Sequence, residues 1–558
     1  MYLEEIFMAK FIKDKDKRST GYTNDDHKTS GMPLVTKKKR PCWSAKGESN
    51  DAGWFKDPRG IVSSAAKIPT YLPLGKGYIP LISGETPTTG IPIIMTCEWL
   101  PVPGISNSNT SGISLSGNIL FQQIRKVLNK PVAGYHFADP IIVYTCMLSI
   151  MALVEEIKRD YGIVNSYNTL NVGYPNLILR SFGYNESAII DLKQHLANYR
   201  NEFNSLMYEL STVYAPIETN IGEKFKWLSR HIWMDHDSAK AQLYAYTLGG
   251  YYEYSDTAST EGSAALFVRW THAERMKENR LFGIKLNILR DMIREIRSSD
   301  SYNSMLSDME RAFGDAASYT WEDLTEDYVV KPVINDVMLN QFQNIITAPA
   351  IDWSGNAAEL FNITQDVTNN TILCQPNNVP IKADISVGIN MFDPLEDIIK
   401  DYGIPTNFTS PTPSEDDVIE NLNAKVLFRY DKGNNTFTFR EDSISCYIPI
   451  GFITVVPRGN DTGNADVLEL NTYMTPQNAE EVTEVNQILT SLWVTHAFDW
   501  CPMIYWLNED VFSKPILQPF VESDNLIYVS VKDFTLMNYG EQMALWRVPE
   551  DIIQGVVR

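Results

Sequence analysis

Apolar positions along this chain fall into blocks, most of them spaced for helices. From Asp139-Pro140 to Ile157 nearly every position is apolar, and an acid followed by proline is a helix-start signal, so the spacing predicts a buried helix there. Its most hydrophobic run, Pro140 to Val154, is interrupted by Thr145, Cys146 and Ser149 and meets Glu155-Glu156. It is too short and too soon charged to span a bilayer. Pro175 opens a shorter helix through Leu177, Leu179 and Phe182, which Gly183 stops. From about Ser187, the residues Leu192, Leu196, Tyr199, Phe203, Leu206 and Leu210 form one helical stripe.

The pattern breaks after Tyr246, where Gly249-Gly250 leads into a Ser/Thr/Gly-rich stretch read as a loop to Ser263. Beyond it the spacing predicts helices at about Gly283 to Ser298 and Asp336 to Thr347. Val426 to Tyr430 and Thr436 to Arg440 flank Asp-Lys-Gly-Asn-Asn as a hairpin would, and Tyr447 to Val456 reads as a further strand. Acids outnumber bases heavily between Asp393 and Glu420, and prolines cluster there, so that stretch reads as a solvated loop. Asn478 to Trp506 returns to a helical, aromatic, core-like composition, its aromatics suiting a core near an interface. Trp54 to Pro103 carries Pro and Gly too often for long regular elements and reads as an extended segment crossing a surface. The fold class expected is mainly α with an α+β middle region.

Length changes the picture by adding domains, because 558 residues exceed what one core usually serves. Charge changes it more. The chain carries a net charge of -21, yet residues 1 to 46 hold eleven Lys/Arg against six acids, a local excess of +5 on a body at -26. Such a basic arm on an acidic body points to a polyanion-binding tail. Asp14 to Asp51 is too polar to order itself, whereas Leu3, Ile6, Phe7, Phe11 and Ile12 are spaced for a short amphipathic helix. The candidate RNA-binding residues are Lys10, Lys13, Lys15, Lys17, Arg18, Lys37, Lys38, Lys39 and Arg40. Six scattered cysteines without CxxC spacing signal neither a zinc site nor a disulfide framework, and the N-terminus lacks a secretory pattern, so cytoplasmic synthesis is expected.

Candidate chemistry is sparse. His231-Ile-Trp-Met-Asp235-His236-Asp237 concentrates two histidines beside two carboxylates, and on a helix His231 and Asp235 would share a face as metal ligands do. Trp233 and Met234 inside the motif favour packing instead. Asp191 and His195, one turn apart, read as a surface pair. No G-x-S-x-G, HExxH or P-loop occurs, so no catalytic residue, metal ligand or cofactor is assigned.

Three stretches together resemble the capsid proteins of picobirnaviruses. They are Tyr135-His-Phe-Ala-Asp139 before the apolar helix; Tyr174-Pro175 followed by the amphipathic helix, Arg230-His231-x-Trp233-Met234 and Ala241-Gln242-x-Tyr244; and Phe498-Asp499-Trp500-x-Pro502. The resemblance covers roughly residues 118 to 246 and 478 to 515. It implies a helical shell domain built from residues 51–246 and 478–558 and a protruding domain from 247–477, beside the flexible arm that composition predicts over 1–50. It also implies homodimers with intertwined contacts, a T=1 icosahedral shell enclosing double-stranded RNA, an enclosed viral polymerase, transient membrane contact at entry, and residence in the virion. The acids mixed into this arm depart from the family's more plainly basic ones, and no self-cleavage site or nucleophile is identifiable. Other functional classes to be separated from this one are a partitivirus-like shell and a metal-dependent hydrolase built on the His231 cluster.

Overall fold

In a computed structural model the chain divides into two units, residues 1–70 and 71–558. The structure describes residues 59–67 and most of 93–548, with the longest internal gaps at 381–402 and 475–493. In the first unit the described residues form a helix, Arg59–Ala65, that exposes Ile61 and Val62.

The second unit is organised around the helix Asp139–Val164, in which every residue from Asp139 to Ile163 is buried. Its turns up to Val154 are apolar nearly all round and can only be satisfied inside a core. Its start is fixed by Asp139, whose Oδ2 accepts the His136 N–H at 2.6 Å and whose Oδ1 accepts from Ser263 Oγ and Gln365 Nε2, each at 2.6 Å. The helix Tyr174–Ser181 ends at Gly183, which adopts φ +93° and leaves no space for a side chain, since a Cβ would meet Arg275 Cβ at 2.6 Å. The next, Glu186–Leu210, is capped by Asn185 and buries Leu192, Tyr199, Phe203, Leu206 and Leu210, with Leu196 partly covered. Leu281–Ser298 and Asp336–Asn344 form at the sites their spacing predicts.

Strands reach well beyond the middle region, so the described residues make a mixed α+β fold. The largest sheet has five strands in the order Ala465–Leu470, Ile448–Pro457, Ile94–Leu100, Leu243–Leu248, Ile232–Met234. The first three are antiparallel, whereas Ile94–Leu100 and Leu243–Leu248 run parallel, joined through the helices between them as a parallel pair requires. Both parallel strands are buried at every position. Ile94–Leu100 therefore lies inside the core and not in a segment crossing the surface.

Two further corrections concern loops. The stretch read as a loop to Ser263 is a hairpin, Gly250–Ser259 against Gly262–Arg269, tied to the central helix by the Tyr252 N–H donating to Ser149 Oγ at 3.1 Å. Within Asp393 to Glu420, Ile404–Asn407 is a fully buried strand and Glu415–Leu422 a helix opened by a Ser414/Asp417 capping box; Asp393, Glu396, Asp397 and Asp401 lie outside the described residues. The predicted hairpin pairs Phe428–Asp431 with Thr436–Phe439. Near the C-terminus Phe498, Cys501 and Met503 are buried, but Tyr505–Glu509 is a strand where helix was expected. A helix that the spacing did not announce, Val531–Leu545, follows.

Candidate functional site

The histidine motif is the first place to look for chemistry. The helix Asn220–Arg230, capped by Thr219, stops at Arg230; His231 is extended at φ -93° and Ile232–Met234 is an edge strand. His231 and Asp235 consequently share no helix face. Trp233 is 1% exposed and packs on Trp227 at 5.1 Å, His231 at 5.9 Å, Tyr246 at 6.0 Å and Phe342 at 6.1 Å. Asp235 Oδ1 accepts the Gln242 N–H at 2.9 Å, closing the turn between the two strands. Burial, helped by the neighbouring Arg230, lowers the His231 pKa and favours the neutral ring. The motif is a packing element. Among the described residues no three His, Cys, Asp or Glu side chains come together in a way that could hold a metal ion. His195 Nδ1 sits 3.1 Å from Asp191 Oδ1 on the outer face of its helix, where Arg280 also reaches Asp191 at 3.3 Å.

The densest group of ionisable residues was not singled out by motif. Inside the central helix, Glu156, Arg159 and Asp160 have no exposed surface, and neither do Arg275, from the turn after the hairpin, and Lys285, from the helix Leu281–Ser298. Lys285 Nζ donates to Glu156 Oε1 at 2.9 Å and to Asp160 Oδ2 at 2.6 Å, and the Tyr184 hydroxyl donates to the same Asp160 oxygen at 2.7 Å. Arg275 Nη1 donates to Glu156 Oε1 at 3.1 Å and to Thr247 Oγ1 at 2.7 Å, while Nη2 lies 3.4 Å from Glu98 Oε1. Arg159 Nη1 donates to the Tyr246 carbonyl at 2.6 Å and its guanidinium stacks over Phe182 at 3.9 Å. Burial alone would raise the Glu156 pKa, but Lys285, Arg275 and Arg159 together pull it down to about 2. Glu98 has Arg275 as its cationic partner, and burial wins there, pushing its carboxyl up to about 7. Asp160 is likewise raised by burial ahead of the pull from Lys285. With Glu156, Asp160 and Lys285 wholly buried, this constellation ties the central helix to the elements around it and does not present a reactive group.

A separate cavity of about 300 Å³ lies between the hairpin and the helix Leu281–Ser298, lined by Glu253, Asp256 and Glu295 among others. Burial, then Glu253 and Asp291, push the Glu295 carboxyl up to about 7.

A family model described as the picobirnavirus capsid protein matches residues 60–385. This chain belongs to the picobirnavirus capsid protein family. A capsid protein precursor of human picobirnavirus (strain Human/Thailand/Hy005102/-) is 21% identical over 388 residues, spanning 66% of this chain and 69% of that relative. The crystal structure of a picobirnavirus capsid has the same fold, with a TM-score of 0.72 at 19% identity, covering 90% of this chain and 99% of that one. As a picobirnavirus capsid protein the chain is a structural component of the virion.

Two of the three stretches that carried the resemblance pack on each other in this fold. Tyr135 to Asp139 sets the start of the central helix, and the second and third stretches pack together: the Trp500 N–H donates to Tyr244 OH at 3.1 Å and Phe498 lies 5.7 Å from the Tyr244 ring. These contacts join residues more than 250 positions apart. The nine candidate RNA-binding residues, Lys10, Lys13, Lys15, Lys17, Arg18, Lys37, Lys38, Lys39 and Arg40, lie outside the described residues, as does the Leu3 to Ile12 stretch.

Proposed function

We propose that this capsid protein is a coat-forming subunit that pairs into dimers and builds a closed icosahedral shell around double-stranded RNA. The observation that carries the reading is the family match over 60–385, supported by a structural likeness that spans nearly the whole of a picobirnavirus capsid chain. Closed symmetry is the usual outcome for such self-association. Residues 51–246 and 478–558 form the shell part, 247–477 the protruding part, and 1–50 an N-terminal arm. No step in this role needs a catalytic residue, a metal or a cofactor.

Charge supports a division of labour. A body at -26 repels a confined polyanion, leaving the RNA loosely held and accessible to an enclosed polymerase, while the arm's Lys10 to Arg40 supply sequence-independent phosphate contacts. The arm's apolar stretch, Leu3 to Ile12, is suited to transient membrane contact during entry. Synthesis takes place in the host cytoplasm. Negative-stain microscopy of the purified full chain is the direct test: closed particles are expected, and a monodisperse monomer at high concentration and neutral pH overturns the assembly reading. Removing residues 1–46 is expected to leave particles intact with less co-purified RNA; equal RNA content in the truncated particles overturns the role of the arm.

A further inference from the structure

The C-terminal helix Val531–Leu545 is held by specific contacts along one side. Gln542 packs where Gly104 and Gly112 leave room: a Cβ at Gly104 would overlap its carboxamide, and one at Gly112 would meet its Cγ at 3.1 Å. Gln542 Nε2 donates to the Ile105 carbonyl at 3.4 Å, buried Trp546 donates through Nε1 to the Pro103 carbonyl at 3.2 Å, and Asn220 Nδ2 donates to the Ala544 carbonyl at 2.9 Å. Glu541, the residue beside Gln542, turns a carboxyl into this seam, with Oε2 shielded from solvent and without a hydrogen-bond partner.

We propose that the C-terminal helix is a proton-latched clasp, seated while Glu541 carries a proton and loosened when Glu541 ionises. The groups facing Glu541 come from three elements: Lys224 from the helix Asn220–Arg230, Glu420 and Asn423 from the helix Glu415–Leu422 and its cap, and Ser445 and Cys446 from the segment before strand Ile448–Pro457. The fourth neighbour, helix Gly112–Leu128, presents Gly112 and Ser116 to the clasp and carries its basic residues, Arg125 and Lys126, in its far last turn. Two carboxylates thus compete for one ammonium, and Lys224 already lies 3.5 Å from Glu420 with its Nζ over the Trp227 ring. A proton on Glu541 removes the conflict. Burial, seconded by Glu420, pushes the Glu541 carboxyl up to about 7 and outweighs the attraction of Lys224 and the hydrogen bonding of Ser445 and Asn423.

The sign follows from linkage. The seated helix holds a proton that the released helix gives up between its ordinary carboxyl pKa and about 7, so seating weakens as pH rises through that window and stays weak above it. For one group shifted this far, opening between pH 6 and pH 8 grows about tenfold.

Hydrogen exchange of amides 531–548 in the full-length chain, normalised for intrinsic exchange, reads this directly. Wild type is expected to open about tenfold more at pH 8 than at pH 6, Glu541→Gln to lose that slope, and Glu295→Gln, a distant carboxyl also near 7, to keep it. Lys224→Met, which removes the opposing attraction, is expected to move the midpoint to higher pH. A flat profile in wild type, or a slope that survives in Glu541→Gln, overturns the proposal.

Discussion

Two neighbouring parts of the interior exclude water in opposite ways. Around Trp233 the filling is aromatic: Tyr246 and Phe342 lie 4.9 Å apart, Tyr244 and Phe342 5.5 Å, and Tyr447 stands edge-on to both Tyr246 and Trp99. Beside it, joined through Arg159 and the Tyr246 carbonyl, three cations and three carboxylates fill the space between the central helix, the Arg275 turn, strand Ile94–Leu100 and helix Leu281–Ser298. The aromatic block gains from area buried and tolerates approximate fit. The ionic block gains little net stability, because desolvation offsets the attraction, but any arrangement that separates its partners is costly. The first part supplies stability and the second holds the elements to one arrangement.

The strongest way to break the ionic side is Lys285→Met, which leaves Asp160 with no cation at hydrogen-bond distance and costs about 3–5 kcal/mol. Adding Asp160→Leu removes the stranded charge, so the double variant is expected to recover much of the loss, as a double-mutant cycle on thermal midpoints would read. On the aromatic side Trp233→Ala costs about 3–5 kcal/mol through the cavity it opens, and no second truncation nearby restores it. A Lys285→Met variant that unfolds no more readily than wild type would erase the distinction.

The pH profile sharpens it next. Glu156, held near 2 in the folded chain, contributes stability that is fully present above the ordinary glutamate pKa and lost as pH falls toward 2, about 3 kcal/mol in all. Glu98, held near 7, acts in the other direction: the folded chain keeps a proton that the unfolded chain releases, so stability declines as pH rises from the ordinary glutamate pKa to about 7. Thermal midpoints are therefore expected to peak on the mildly acidic side. Glu156→Gln should remove the acid limb, and Glu98→Gln should flatten the neutral one. A Trp233→Phe variant should keep both limbs and lower the whole curve.

The same contrast explains what was legible in the sequence. Helices with a one-sided stripe, such as Glu186–Leu210, and Asp139–Val164, apolar nearly all round as far as Val154, could be read because period and capping agree. Ile94–Leu100 could not, since a strand buried on both faces shows no alternation and follows a Pro/Gly-rich stretch. The hairpin from Gly250 to Arg269 was hidden by its Ser/Thr/Gly composition, and Val531–Leu545 by apolar residues scattered around its circumference. The ionic block escaped notice because Glu155-Glu156-Ile-Lys158-Arg159-Asp160 resembles a solvated face. Its one signal was position: the charges continue a helix whose preceding turns are apolar on every side, so they had to be buried together with partners from elsewhere.

The smallest expected effect tests that last step. Arg294 and Asp291 pair at 2.8 Å on the helix that carries Lys285, three residues apart, with side chains 69% and 48% exposed. Their contact falls between the two that Lys285 makes, 2.6 Å to Asp160 and 2.9 Å to Glu156, so distance alone would rank them alike. Water separates them: an exposed pair gains little Coulomb energy over hydrated ions and restricts two long side chains, giving about 0.2–1 kcal/mol at best. Arg294→Ala is accordingly expected to shift the thermal midpoint barely, and added salt to shrink even that shift, because exposed charges are screened where buried ones are not. Lys285→Met in the same salt series should keep nearly all of its cost. If Arg294→Ala proved as damaging as Lys285→Met, charge pairing as such would hold this helix in place, and burial would cease to be what separates the two regions.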